Sequence, residues 1–206
     1  MGTQGIFFLV AGPSGAGKTT VLRRLLDASP GLVKDVSVTT RTPREGEQDG
    51  RDYHFWPKEK FEKGVADNEF LEHAVVHGER YYGTLKRLVS EQLERGLDVI
   101  KDIDVQGVEQ VRNRWPYPRS VAVFLLPPTR DDLEQRLHGR GSDKGAELQR
   151  RLDTASKELG RVSEYDYLVF NKTVDEAVAD LLAIRRAEHL RRMRREEEFK
   201  RAWGEA

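Results

Sequence analysis

Apolar residues gather in four short runs along this chain: Ile6-Phe7-Phe8-Leu9-Val10-Ala11, residues 97–103, residues 121–126 and the weaker Tyr167-Leu168-Val169-Phe170. Short continuous apolar runs bounded by turn residues read as strands buried on both faces. Helical stretches separate them, among them Thr19–Asp27, Asp131–Leu137 and Val174–Arg186. This alternation predicts an α/β fold whose core is a parallel sheet flanked by helices.

Residues 35–57 interrupt the rhythm. Ser37-Val38-Thr39-Thr40 reads as extended, Pro43, Gly46 and Gly50 punctuate a loop, and Tyr53-His54-Phe55-Trp56 reads as an aromatic strand. The segment predicts a small antiparallel lobe inserted into the core. Thr129-Arg130-Asp131-Asp132 has the form of a capping box with Asp in the fourth place. Gly139-Arg140-Gly141-Ser142-Asp143 then breaks the helix that box begins, so a helix, an arginine loop and a second helix predict a mobile lid. From residue 185 the chain is densely charged. Arg192 with Glu196 and Glu197 with Arg201 fall four apart, which favours a solvated terminal helix over a nucleic-acid arm.

Composition narrows the classes of function. The 206 residues suit one compact domain with mobile lobes. Lysine plus arginine (35) equals aspartate plus glutamate (35), which argues against a general nucleic-acid or membrane binder. Any basic site is therefore local. The absence of cysteine excludes disulfides, thiolate metal ligation and thiol nucleophiles. The apolar runs are too short to span a bilayer, and no opening segment has the form of a signal peptide. A soluble, cytoplasmic protein is the expectation.

Gly12-Pro13-Ser14-Gly15-Ala16-Gly17-Lys18-Thr19 matches G-x-x-x-x-G-K-[ST] in full, and Thr20 comes next. Small residues let successive main-chain N–H groups turn toward phosphate oxygens, and the N-terminus of the next helix adds partial positive charge. Lys18 is expected to reach the β- and γ-phosphates of ATP, and the Thr19 hydroxyl to ligate Mg²⁺ directly. The match lies between a predicted strand and a predicted helix, as the motif requires. A loop of this kind does not by itself separate kinases from other nucleotide hydrolases. A kinase must also hold a second, anionic substrate.

Arg41 and Arg44 stand three apart in a proline-fixed segment that also carries Glu47. A guanidinium pair suits a monophosphate dianion, and Tyr53 and Tyr82 could add hydroxyl donors. Alone, the pair is equally compatible with surface arginines beside acids. The P-loop, Ser37–Glu47, Asp52–Phe55, Asn68–Glu72, Tyr81–Thr84, Asp102–Gly107 and the arginines Arg136, Arg140 and Arg151 occur in the order seen in guanylate kinases, which the chain resembles over roughly residues 4–186. The resemblance implies a P-loop nucleoside-monophosphate kinase fold. Its core would take about 4–34, 91–127 and 164–190, its GMP-binding lobe about 35–90, its lid about 128–163 and a charged C-terminal helix about 185–206. It implies that Arg41, Arg44, Tyr53 and Tyr82 hold the GMP phosphate with Glu47 in the same set. It further implies that Ser37, Glu72, Thr84 and Asp102 read the guanine, and that Asn171 lies near the adenine of ATP. Guanine presents two adjacent donors, N1–H and the N2 amino group, which one carboxylate such as Glu72 can accept; adenine has no such pair.

The strand at 97–103 delivers Asp102 and Asp104, two residues apart and so on one face, and Asp104 is expected to hold Mg²⁺ through water. The acceptor oxygen belongs to a phosphate already largely dianionic at neutral pH, so no general base is needed. Catalysis reduces to alignment and charge neutralisation by Lys18, Arg44, Arg136, Arg140 and Arg151 with Mg²⁺. Lys101 departs from the apolar residue usual at its position in those kinases; it either snorkels to the surface or lies near the phosphates. The reaction implied is ATP + GMP to ADP + GDP, with dGMP as a further acceptor, in purine nucleotide metabolism by a monomer or small homo-oligomer. Two alternatives stand beside it. One is a non-catalytic guanylate-kinase-like module that binds phosphopeptides, against which the intact Lys18 and Thr19 argue. The other is a kinase of the same fold acting on another phosphorylated small molecule, against which Glu72 with Ser37 argues.

Overall fold

The computed structural model describes residues 4–76, 78, 80–138 and 145–204, apart from the side chains of residues 146–148. The loop carrying Arg140 therefore lies outside the described residues. In chain order the elements are β1 (Phe7–Ala11), α1 (Lys18–Asp27), β2 (Leu32–Lys34), β3 (Val38–Thr39), β4 (His54–Phe55), α2 (Lys58–Ala66), β5 (Phe70–Val76), β6 (Arg80–Leu85) and α3 (Lys86–Glu94). They continue with β7 (Asp98–Asp102), α4 (Val105–Arg114), β8 (Ser120–Leu126), α5 (Arg130–His138), α6 (Ala146–Leu159), β9 (Tyr167–Phe170), α7 (Val174–His189) and α8 (Arg192–Trp203). No described helix is long and apolar enough to cross a membrane.

The larger sheet has the order β2-β7-β1-β8-β9, with β2 parallel to β7 and β8 parallel to β9. Every residue of β1 is buried, as a strand covered on both faces requires. The apolar runs thus become strands within a residue or two of their predicted ends. β2 escapes sequence reading because Leu32-Val33-Lys34 is too short to stand out as an apolar run; pairing with β7 is what makes it a strand.

The smaller sheet has the order β4-β3-β6-β5. Its predicted antiparallel character needs correction. β6 is antiparallel to both β3 and β5, but β3 and β4 run parallel. The long loop between β3 and β4 carries the chain back before it re-enters the sheet, so the second strand travels in the direction of the first. Val38, Phe61, Phe70 and Leu85 form the core beneath this sheet, with Phe61 stacked on Phe70 at 4.5 Å between ring centroids.

The chain divides into two compact units. One holds Val10–Gly31 and Ala122–Ala206, and the other holds Gly5–Leu9 and Leu32–Val121. In the first, α1 packs on α7, and Leu133, Leu137 and Ala155 join α5 to α6. In the second, the two hydrogen bonds between the Gln110 side-chain amide and the main chain of His73 tie α4 to β5. His73 lies on β5.

Candidate active site

The residues with predicted chemistry fall into two groups, one in each unit. The first is the loop from Gly12 to Thr19. It leaves β1 through Gly12, at φ 147°, where a Cβ would come within 1.9 Å of the Leu125 carbonyl oxygen. Only glycine lets the loop lie that close to β8. Gly15 and Gly17 also have positive φ, 89° and 88°. Gly17 stands at the N-cap of α1, and no side chain caps the helix. No capping side chain thus competes with an external anion at the start of α1, where the helix dipole favours negative charge. Pro13 is buried, Ser14, Thr19 and Thr20 are exposed, and Ala16 donates its N–H to the Pro13 carbonyl at 3.1 Å.

Lys18 donates to the Gly12 carbonyl at 2.6 Å, which folds its ammonium back over the loop. Asn171, buried behind the loop, donates Nδ2–H to the Ala16 carbonyl at 2.7 Å. Arg136 in turn donates to the Asn171 carbonyl at 2.9 Å. Asn171, a predicted ATP ligand, thus braces the loop, and Arg136, another, braces Asn171. Arg151 lies on α6, half-buried. The exposed Thr19 hydroxyl at the start of a helix is a hard oxygen donor, of the kind a Mg²⁺ ion takes together with nucleotide phosphates. Among the described residues, no group of three or more His, Asp or Glu side chains could hold a metal ion.

The second group begins with an arginine clamp. Arg41 binds Glu47 through two parallel bonds, of 2.8 and 2.9 Å, and Glu47 also accepts the Arg44 main-chain N–H at 2.8 Å. The hydrogen bonds from Arg41, and then from the Arg44 N–H, hold the Glu47 carboxyl down at about 2. The same Glu47 bond raises the Arg41 guanidinium further. Arg41 also faces the rings of Tyr53 and Phe55 at 5.4 and 5.8 Å, and Tyr53 meets Tyr82 edge-on at 6.0 Å. One donor is left over: the buried Nε–H of Arg41 has no partner among the described residues. Arg44 is exposed. The resemblance groups Glu47 with the GMP ligands; in the free protein its carboxylate organises Arg41.

Behind the clamp lies a buried polar network. The Thr84 hydroxyl donates to Glu72 Oε1 at 2.6 Å, across the β5–β6 pairing that sets these residues opposite each other. Lys101, 6% exposed, reaches Asp35 Oδ2 at 2.8 Å, Ser37 Oγ at 2.7 Å and Glu72 Oε1 at 3.6 Å. Burial opposes the charge of Lys101, but the carboxylates of Asp35 and Glu72 outweigh it and hold its pKa above the ordinary lysine value. The surface alternative for Lys101 is overturned, because two acids inside the unit give the ammonium a reason to stay. Sequence reading misses Asp35. The available signal is a lysine in an otherwise apolar strand, which requires a buried counter-charge. The register of β2 on β7, with Lys34 opposite Ile100, carries Asp35 on to Lys101.

The acid pair also needs correction. β7 ends at Asp102, and Asp104 is the N-cap of α4, accepting the Gly107 N–H at 2.7 Å. The two carboxylates therefore do not share a strand face. The chain turns between them, and Ile103 at the turn is buried. Both acids are exposed.

Comparison with known proteins gives one consistent result. A family model described as guanylate kinase matches residues 6–188. The chain is 43% identical over 203 residues to a guanylate kinase of Thiobacillus denitrificans, covering 98% of this chain and 96% of that protein. It is 47% identical over 192 residues to one of Bradyrhizobium diazoefficiens, covering 93% and 87%. Among solved structures, the guanylate kinase of Anaplasma phagocytophilum aligns with a TM-score of 0.75 at 27% identity, over 100% of this chain and 99% of that one.

Proposed function

The chain belongs to the guanylate kinase family, and we propose that it carries out that family's reaction, ATP + GMP to ADP + GDP, with the Gly12–Thr19 loop as the donor cradle and the residues around Arg41 and Glu72 as the acceptor site. One observation carries the acceptor assignment. Glu72 is a buried carboxylate whose Oε1 takes the Thr84 hydroxyl at 2.6 Å and faces the Lys101 ammonium at 3.6 Å, which fixes the side chain inside the unit. A carboxylate fixed in this way suits a ligand with two adjacent donors, and guanine N1–H and N2–H supply them. The buried Nε–H of Arg41 has no partner among the described residues, which leaves it as a donor for a phosphate oxygen.

On this reading Ser37, Glu72, Thr84 and Asp102 read the base, while Arg41, Arg44, Tyr53 and Tyr82 hold the phosphate of GMP or dGMP. Glu47 fixes the fork of Arg41. The main-chain N–H groups of residues 13–20 hold the ATP phosphates, and Lys18 leaves the Gly12 carbonyl to neutralise the β- and γ-oxygens. Arg44, Arg136, Arg140 and Arg151 share the charge that builds on the transferring group. Arg136 and Asn171 keep the cradle in shape for ATP. Thr19 would ligate Mg²⁺ and Asp104 would hold its water shell; the ion, bound with ATP, supplies further neutralisation of the phosphate oxygens. No base is required, since the attacking oxygen of GMP is already ionised. The segments around 35–90 and 128–163 act as GMP lobe and lid, and the enzyme works in the cytoplasm as a monomer or small homo-oligomer.

The test is ADP release with GMP, dGMP, AMP, UMP and CMP supplied one at a time. GMP and dGMP should turn over and the others should not; AMP turning over as fast as GMP would end the guanine assignment. Lys18→Ala should lower kcat by about a hundredfold or more while GMP still binds in calorimetry. Loss of GMP binding in that variant would contradict the separation of donor and acceptor roles.

A further inference from the structure

Lys101 is the unusual member of the guanine-reading network, and nothing in the phosphoryl transfer uses it. Its ammonium has three donor hydrogens and faces three acceptors on two stretches of chain: Asp35 and Ser37 in the connection between β2 and β3, and Glu72 on β5. Asp35 neutralises the ammonium, and Ser37 satisfies a further one of its buried donors. What that contact does is fix the direction of the Ser37 hydroxyl. An oxygen accepting from Lys101 at 2.7 Å turns its own hydrogen elsewhere, in the free protein toward Asp35 Oδ2 at 3.3 Å. That donation is long, so the hydrogen is available to a better acceptor. At Glu72 the effect is complementary. Lys101 and Thr84 both approach Oε1, so the side chain is pinned and its second oxygen stays an acceptor.

We propose that Lys101 is the residue that sets the hydrogen-bond polarity of the base pocket, making Ser37 a donor and Glu72 an acceptor, and thereby excludes adenine. The inference rests on the assignment of Ser37 and Glu72 to the base. A donor beside an acceptor matches the O6 and N1–H edge of guanine. Adenine presents the inverse, an amino donor at position 6 and an acceptor at N1, and so meets donor against donor and acceptor against acceptor. A serine hydroxyl alone does not discriminate, since it can donate or accept as the ligand requires. Charged donors polarise the hydroxyl they bind and strengthen its own donation, which raises the contrast further. Lys101 is therefore a positioning residue: it need not touch the nucleotide.

The experiment uses Lys101→Met, the charge-balanced pair Asp35→Asn/Lys101→Met, and Glu72→Gln, each measured for kcat/KM with GMP and AMP, for KM with ATP, and for melting temperature. The double variant removes the acid nearest the lost cation, so it stays measurable if the single one fails to fold. The GMP-over-AMP ratio should fall by about tenfold or more in any folded variant lacking Lys101, with KM for ATP unchanged. Ser37→Ala should lower the ratio less in the Asp35→Asn/Lys101→Met background than in the native protein, since the hydroxyl no longer has a fixed direction to lose. A folded double variant with native selectivity overturns the proposal and leaves Lys101 as a structural ion pair. If Glu72→Gln itself keeps full selectivity, the underlying assignment of the base pocket fails; loss there with retention in the double variant condemns only the role of Lys101.

Discussion

Arg41 carries two opposed tasks, and Glu47 reconciles them. A guanidinium with 8% of its side chain exposed needs a counter-charge, and on the proposed reading it must also offer an N–H to a phosphate. The two-point bond to Glu47 uses the terminal nitrogens and leaves Nε–H over. Because the Glu47 pKa is depressed from 4.5 to about 2, its contribution to stability is fully present above pH of about 4.5 and is lost as pH falls toward 2. An NMR titration should place the Glu47 carboxyl midpoint near 2, and a midpoint near the ordinary value would mean that the clamp is open in solution. Glu47→Gln should remove the two-point geometry and raise KM for GMP several-fold, with a smaller change in kcat. Steady-state kinetics at varied GMP separates these two constants.

At the scale of the element, helix starts recur as the places where chemistry is set, and they are used in two ways. α1 follows the N-cap Gly17 with no side-chain cap, so no side chain competes with an anion at its start. α4 begins at Asp104, whose carboxylate both closes the helix end and carries the charge assigned to the Mg²⁺ shell. Asparagine caps as well as aspartate but brings no charge. Asp104→Asn should therefore keep the melting temperature and raise the Mg²⁺ concentration needed for half-maximal activity. Asp104→Ala should raise the Mg²⁺ requirement likewise but lose about 1 kcal/mol of stability, read by urea unfolding. Equal Mg²⁺ dependence in all three proteins would confine Asp104 to capping.

For the molecule as a whole, the match to the family model stops at residue 188, and that residue anchors the start of the C-terminal helix. Glu188 is fully buried and takes the Tyr167 hydroxyl at 2.6 Å, Arg191 at 2.9 Å and Arg194 at 3.8 Å. Deleting residues 195–206 removes most of α8, whose Phe199 and Trp203 are exposed, and spares that network. Activity and melting temperature should both survive that deletion. Deletion from residue 189 strips the cations from a buried acid and should cost about 3–5 kcal/mol, measured by chemical denaturation. The predicted pairing of Glu197 with Arg201 is not what orders α8 locally, since Arg201 bonds the Glu197 carbonyl instead, whereas Arg192 does pair with Glu196 at 3.1 Å.

The α/β core, the phosphate loop and the segment bearing Arg41 and Arg44 were legible in the sequence, because continuous apolar runs and the Gly-Lys-Thr spacing are local patterns that the backbone itself demands. The parallel pairing of β3 with β4, the turn that parts Asp102 from Asp104, and the strand β2 were not, because pairing direction and strand ends depend on partners distant along the chain. The fate of Lys101 belongs with these. Sequence marks a lysine in an apolar strand as a conflict, but only the register that brings Asp35 beside it, and the fold that brings Glu72 within 3.6 Å, decides that the charge turns inward. A buried charge is stable only where its counter-charges are, and that location is a property of three dimensions.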